Sequence, residues 1–485
     1  MSEFPIADTR AATRLGSVLR DVGYSESGVY RQLGDDAYSR GEEDVPADER
    51  RLPGDRLSTA IRLFFLQRPV AVRDAQLALG RDGLDALEAA GLADIGEEVV
   101  PRGRILPIGR LLVAADGFAR GDDPADYVAV YTPTSRLLDT LTPRPRVGRA
   151  LDVATGSGIH ALLAAAHAEH VVATDVNPRA LDFTTLNAAL NRLTNVECRS
   201  GSLFEPVAGE SFDLITCNAP YVVSPENRWV YRDSGFRADE VSERAVGDAA
   251  AHLNDGGYAT LLVSWLAEDE DAPDERAFAW VAASGCDGWI LPGWDADPLT
   301  HASTWNTHLT EDPEAFARAL DEWTAYLEEL GVRWVSEGAV LLHKRSGGGE
   351  ARVDPIEPDD VEEADEQIQR AFAMRERLAQ LEHDDELLDL SVSLEVSCRL
   401  EQELEPEDGA PSIVEARIQL TEGTFTELDV SPGVLEVVTS LDGDSTLREV
   451  IDAVADRFEI ARAQLDRDVV EAVRQLLEIG ALALR

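Results

Sequence analysis

Two rhythms of apolar residues alternate along this chain. In LSTAIRLFFLQRPV, Ile61, Phe64 and Phe65 return at helical spacing, and Ser58 is placed to cap that helix. VRDAQLALG and DGLDALEAAGLADIGEEVV continue as helix, turn and helix, with Gly91 as the stop and a strand beyond it. From about residue 126 the rhythm changes. Short apolar strands now alternate with helices as far as about residue 345, the signature of a parallel α/β sheet. Leu151 and Val153 end one such strand, Val171 to Thr174 end the next, and FDLITC, Phe212 to Cys217, reads as the fourth.

GGGEARVDPIEPDDVEEADEQ then forms a glycine-led acidic linker that runs into a charged helix. Near residue 388, LSVSLEVSCRLEQEL alternates like a strand. Two helices follow. In TLREVIDAVADRF, Leu447, Val450, Ile451, Val454 and Phe458 share one face behind a Thr446-x-x-Glu449 capping box, and Gly480 ends the last helix. The expected domains are therefore a helical, winged-helix-like accessory region at 1–125, an α/β domain at 126–345, an acidic linker and helix at 346–387, and a small α+β domain at 388–485.

Charge changes the picture of possible partners. Against 92 Asp and Glu stand 44 Lys and Arg, a net charge of −48, and Lys344 is the one lysine. Such a chain repels polyanions at long range, which argues against tight non-specific DNA binding. The second accessory helix points the same way. Its polar face carries Asp82, Asp85 and Glu88, where a DNA reader needs Arg or Asn toward the bases. The region reads as a packing or substrate-docking module, whose removal is expected to spare ligand binding. No apolar run reaches membrane-spanning length, the N-terminus lacks a secretory pattern, and the four cysteines form no CxxC pair. A cytoplasmic protein without a metal site is expected.

The chemistry concentrates in two stretches. RALDVATGSGIHALLAAA reads as strand, turn and helix, with Gly156 and Gly158 allowing a sharp turn and a helix beginning near Ile159. Asp152 lies at the strand end, where it can accept a hydrogen bond or pair with a ligand ammonium. Asp175 ends the following strand and is placed to accept ribose hydroxyls. The turn lacks the third glycine of a dinucleotide fingerprint, so the crevice suits a nucleoside whose tail is not a phosphate. The second stretch is Asn218-Ala219-Pro220-Tyr221, at the carboxyl end of the fourth strand. An Asn carboxamide oxygen and the carbonyl of Ala219 can accept both hydrogens of a planar NH2 group. Pro220 stiffens the turn, and Tyr221 can stack on the flat group.

On these residues, 126–345 resembles a class I S-adenosylmethionine-dependent methyltransferase with a Rossmann-like sheet. The similar group is the HemK-like, or methyltransferase small domain, set with an N-P-P-[FY] motif. The family turn D-x-G-T-G-S-G matches Asp152 to Gly158 except at Ala154. The second-strand acid matches Asp175, the D-L-F-E segment matches Ser202 to Glu205, and N-P-P-Y matches Asn218 to Tyr221 except at Ala219. The resemblance implies S-adenosylmethionine held by Asp152, Ala154, Thr155, Gly156, Gly158, Asp175, Val176, Ser202, Leu203 and Asn218. It implies an acceptor nitrogen oriented by Asn218, Ala219, Pro220 and Tyr221. Ala154 moves the methionine tail from the backbone, Ser202 weakens a contact to the adenine amine, and Ala219 relaxes the turn.

The flank VVSPENRWVYRDSGFRADE, with Arg228, Arg232 and Arg237 beside Trp229 and Tyr231, reads as an acceptor lid or an ordinary surface loop. The C-terminal helices resemble a PqqD-like winged-helix module. The implied activity is N-methylation of a macromolecule, either a protein glutamine amide or an RNA base amine. A non-catalytic nucleoside-binding scaffold and a small-molecule N-methyltransferase are the alternatives.

Overall fold

Eight strands make the central sheet: β1 (Val147–Val153), β2 (Ala168–Asp175), β3 (Val196–Ser200), β4 (Phe212–Cys217), β5 (Leu253–Ala267), β6 (Asp287–Ala296), β7 (Trp334–His343) and β8 (Ala351–Val353). Their order is β8-β6-β7-β5-β4-β1-β2-β3. The run β3-β2-β1-β4-β5 is parallel throughout, as in a doubly wound nucleotide-binding sheet. β7 then lies antiparallel beside β5, which departs from that pattern. The last four residues of β1 and β4 are all buried, because a parallel sheet is covered on both faces. The computed structural model describes residues 4–5, 8–119, 123–226, 229–230, 232, 235–407, 410–424, 426–458 and 461–485.

Two helices position the site. The first, Ile159–Ala164, leaves Gly158 at a φ of 86°. The second, Pro178–Leu190, starts with Pro178 in its first turn behind Asn177, whose side chain accepts from the Arg179 amide at 3.0 Å. The one lysine has a definite place. Lys344 Nζ donates to the carbonyls of Ala250 and Leu253, each at 2.9 Å, at the C-terminal end of the helix Glu240–His252. A compact ammonium there satisfies orphan carbonyls and complements the helix dipole.

The region before the central sheet opens with helices Thr9–Asp21, Glu26–Leu33 and Val45–Arg51. Helix Arg56–Ala60 is capped by Asp55, not Ser58, whose amide donates to Asp55 Oδ1 at 2.7 Å. Ser58 Oγ returns the favour by accepting from the Asp55 amide at 3.2 Å. The chain then widens into a π-turn at Ile61–Phe65 instead of continuing as one α-helix. The helix–turn–helix is a single assigned element, Val72–Ala89, interrupted at Gly80 with a φ of 71°. Val70–Ala71, just before this helix, and Ala93–Ile95 and Glu98–Pro101, after it, form a three-stranded antiparallel sheet, and a hairpin joins Arg104–Ile108 to Leu111–Ala115.

The boundary at residue 125 is not a boundary of packing. Contacts place residues 1–136 in one compact unit with 145–290 and 294–351, while 137–144, 291–293 and 352–485 form the second. One apolar core holds Leu15, Leu19 and Phe64 together with Phe183, Leu186 and Leu190 of the helix Pro178–Leu190. Gly16 permits the close approach, since a Cβ there would lie 2.0 Å from the Leu190 carbonyl oxygen.

In the second unit, an antiparallel sheet of Cys398–Glu407, Ala410–Leu420 and Glu427–Val430 accompanies helices Asp365–Leu378, Pro432–Thr439, Leu447–Phe458 and Arg462–Glu478. The capping box forms: the Thr446 amide donates to Glu449 Oε2 at 2.9 Å, and the Glu449 amide to Thr446 Oγ1 at 3.3 Å. Leu447, Val450, Ile451 and Val454 are buried, but Phe458 is 41% exposed, since it lies past the buried stretch at the helix end. No helix among the described residues is long and apolar enough to cross a membrane.

Two outcomes follow from this packing. Protein lacking residues 1–125 is expected to aggregate or lose its cooperative thermal transition, because Phe183, Leu186 and Leu190 lose their cover. A soluble fragment that melts as sharply as the full chain would refute the shared core. Raising salt from about 0.1 M to about 1 M shortens the Debye length from about 10 Å to about 3 Å. The net charge of −48 should then repel itself less, and the calorimetric Tm should rise. A flat or falling Tm would count against it.

Candidate functional site

Register brings the separated motifs together. Val153 of β1 pairs with Thr174 of β2 on one side and with Cys217 of β4 on the other. Ala154, Asp175 and Asn218 therefore leave the sheet in one row, at the point where the strand order reverses. Open α/β sheets bind ligands there. A cavity of about 580 Å³ occupies this place, within the range of small-ligand sites. From the β1–β3 side it is lined by Ala154, Thr155, Gly156, Asp175, Val176, Ser202 and Leu203, and from the β4 side by Asn218, Ala219, Pro220 and Tyr221.

The turn after β1 is tied down on several sides. Thr155 N donates to the Thr174 carbonyl at 2.9 Å, and Gly156 N to Asp175 Oδ2 at 2.9 Å. Gly156 and Gly158 have φ of 55° and 86°. A Cβ at Gly158 would lie 2.8 Å from the Thr184 side chain, so only glycine lets the turn pass. Gly158 thus starts the helix and does not line the cavity. Ala154 also takes a left-handed φ of 55°, which costs an alanine energy that a glycine avoids.

The two aspartates have different tasks. Asp152 was expected to face the ligand. It is 1% exposed, and its oxygens accept from Thr216 Oγ1 at 2.8 Å, Thr155 Oγ1 at 2.6 Å and Ala161 N at 3.1 Å. It anchors the turn from below. Burial pushes its carboxyl up to about 6, against the pull of those hydrogen bonds. Asp175 does line the cavity, accepting from Gly156 N and, at 2.8 Å, from Asn177 N. A carboxylate has about four lone-pair sites, so capacity for a ligand remains. Burial raises the Asp175 pKa while the amides of Asn177 and Gly156 lower it.

At the β4 end, Asn218 is half-buried, and no described residue hydrogen-bonds its carboxamide. Ala219 and Tyr221 are buried. The Tyr221 carbonyl accepts from Ser264 Oγ. Burial holds the Cys217 thiol up to about 12, which excludes it as a nucleophile.

Trp305 also lines the cavity, and its Nε1 donates to Glu337 Oε1 at 2.8 Å. His301 Nε2 contacts the Val223 carbonyl at 2.9 Å, and its Nδ1 lies 3.6 Å from Glu337. Burial pushes Glu337 up to about 7 and His301 down to about 4. Between those values both are neutral, so the contact is not an ion pair there.

Of the lid candidates, Arg228 and Tyr231 lie outside the described residues, and Arg237 is exposed. Arg232 is 4% exposed, lines the cavity, donates to Glu226 at 2.6 Å and sits 4.4 Å from the Trp229 ring. Tyr127 to Val130 and Thr132 to Ser135, which no motif marks, also line the cavity. No spacing rule marks them. The one available signal was their place just upstream of β1.

With this geometry, the comparisons with known proteins carry weight. Residues 130–268 match the family model described as methyltransferase small domain. The central domain is similar to methyltransferases over that stretch. A release factor glutamine methyltransferase of Xylella fastidiosa (strain Temecula1) is 35% identical to it over 130 residues, covering 24% of this chain and 47% of that protein. A ribosomal protein uL3 glutamine methyltransferase of Bradyrhizobium diazoefficiens is 33% identical over 170 residues, covering 29% of this chain and 52% of that protein. The chain spans about half the length of the curated relatives it matches. On either side of the methyltransferase-type domain, residues 21–102 match a domain of unknown function, DUF7059, and residues 432–482 match coenzyme PQQ synthesis protein D.

Two variants check the electrostatics and the strain. Glu337→Gln keeps an acceptor for Trp305 and removes the titration. The raised pKa of Glu337 means that the wild type loses stability as pH rises from about 4.5 through about 7. The variant should lose less over that window in denaturant titrations, and parallel curves would contradict the assignment. Ala154→Gly should stabilise the protein by about 1 kcal/mol or less by relieving the left-handed alanine. A lower midpoint would show that the turn is not strained.

Proposed function

We propose that this chain is an S-adenosylmethionine-dependent N-methyltransferase whose acceptor is a glutamine side-chain amide in a protein. The observation that carries the reading is the row Ala154, Asp175, Asn218, which puts a nucleoside-type turn and an amide-holding motif on one cavity. The glutamine specificity of the two relatives and the net charge of −48 favour protein over RNA.

The residues fit the donor. Asp175 accepts ribose hydroxyls, the turn Ala154–Gly156 gives the donor's tail a close backbone wall, and Val176, Ser202 and Leu203 border its base. The donor supplies a methyl group on a sulfonium, a good leaving group, so the site needs to align its partners more than to activate them. The Asn218 carboxamide oxygen and the Ala219 carbonyl accept the two amide hydrogens of the acceptor and stabilise positive charge growing there. Tyr221, buried at the cavity wall, stacks on the amide plane. The methylated nitrogen sheds its surplus proton to water, so no side-chain base is needed.

The test is transfer of labelled methyl from S-adenosylmethionine into a lysate of a strain lacking this protein. Protease-sensitive label is expected. Ribonuclease-sensitive label would move the acceptor to a base amine. Cofactor binding without label in any fraction would favour a binding scaffold. Asn218→Ala should cut transfer by about 100-fold or more while leaving calorimetric affinity for the donor unchanged. Equal loss of both would make the motif structural.

A further inference from the structure

The helix Pro178–Leu190 carries an asparagine that joins the accessory region to the glycine turn. Asn187 is 0% exposed. Its Oδ1 accepts from Ala114 N at 2.8 Å, and its Nδ2 donates to the Ala114 carbonyl at 2.8 Å. The remaining Nδ2 hydrogen goes to the Ser157 carbonyl, also at 2.8 Å. One carboxamide thus offers Ala114 the bonds that a neighbouring strand's peptide would offer, and spends its last donor on the turn.

One helical turn later Asn191 repeats half of this pattern. Its Oδ1 accepts from Leu112 N at 2.9 Å, and its Nδ2 donates to the Leu112 carbonyl at 2.7 Å. Its other donor stays within the helix, on the Asn187 carbonyl at 2.9 Å. The spacing is physically apt. Four helical residues rise about 6 Å and two strand residues about 6.6 Å, so asparagines at i and i+4 meet strand residues at j and j−2. The helix edge serves as a substitute strand for Leu111–Ala115, whose other side pairs with Arg104–Ile108.

The turn is held by further bonds of the same kind. Thr184 Oγ1 donates to the Gly156 carbonyl at 3.2 Å, and Ser157 Oγ donates to the carbonyl of cavity-lining Val130 at 3.0 Å. The carbonyls of Gly156 and Ser157 are therefore both drawn toward one helix. The second is drawn by the same group that grips the accessory strand.

We propose that the accessory module is a working part of the cofactor site, coupled to it through Asn187 as a positioning residue for the glycine turn. This rests on the methyl-donor reading of the cavity. A shift of the strand at Ala114 displaces the Asn187 carboxamide and with it the Ser157 carbonyl, so a ligand that orders the turn also stabilises the strand. By linkage the effect runs both ways.

The experiment uses the full chain and S-adenosylhomocysteine as the probe, by calorimetry, with Asn187→Ala against Asn191→Ala. Both variants should lower Tm, since each releases strand bonds. Asn187→Ala should weaken binding by about tenfold or more, and Asn191→Ala by less than about twofold. Unchanged affinity in Asn187→Ala would overturn the coupling. Equal weakening in both would overturn it too, because general loosening of the module would then suffice. If Asn187→Ala does not fold, hydrogen exchange on the wild type decides. The probe should slow exchange of the Ala114 amide more than that of Leu112, and equal or absent protection would refute the proposal. A wild type that binds neither the probe nor S-adenosylmethionine would overturn the methyl-donor reading, and this inference with it.

Discussion

Everything at the site depends on three parallel strands ending at one level. Val153, Thr174 and Cys217 are ladder neighbours, so the residues after them emerge side by side. A slip of one residue in β4 would turn Asn218 to the opposite face and bury it under a helix. Register is safe here because the ends of β1, β2 and β4 are buried on both faces, and a slipped strand would have no comparable apolar partner. The core therefore specifies the geometry that the cavity uses.

Around that row, the polar groups are arranged in depth. Asp152 is fully committed to Thr155, Thr216 and Ala161, and this fixes the turn. Asp175, one strand over, keeps lone pairs open to the cavity while it holds Gly156. Burial raises the pKa of both carboxyls, yet only one of them meets the ligand space. Perturbed acids mark the neighbourhood of a site, and geometry decides which of them faces it. Glu337 makes the same point. It is buried behind Trp305, which lines the cavity, and does not reach the cavity itself.

The accessory region gains a different meaning from its packing. A winged-helix order suggests a detachable docking module, but its helix Thr9–Asp21 and hairpin share a core and a hydrogen-bond edge with the helix Pro178–Leu190. Arg179 adds to the seam by pairing with Asp116 at 2.5 Å and donating to the Asp126 carbonyl at 2.9 Å. The segment between the two regions, Tyr127 to Ser135, then becomes cavity wall. The central sheet and the region before it form one folded object.

Local rules determined much of this from the sequence. Strand ends at Val153 and Cys217, the positive-φ demand at Gly156 and Gly158, the Thr446–Glu449 box and the Gly480 stop are properties of short stretches, and short stretches reveal them. Tertiary structure decided the rest. Whether Asp152 faces a ligand or the interior depends on Thr216, which lies on another strand. The burial of Asn187 depends on an accessory strand more than 70 residues away, as its hydrogen bond to Ala114 records. Phe458 looked apolar enough for the core, and only the end of the packed surface left it outside. A side chain's partner across the fold leaves no periodic mark in the chain, because it is chosen by distance in space.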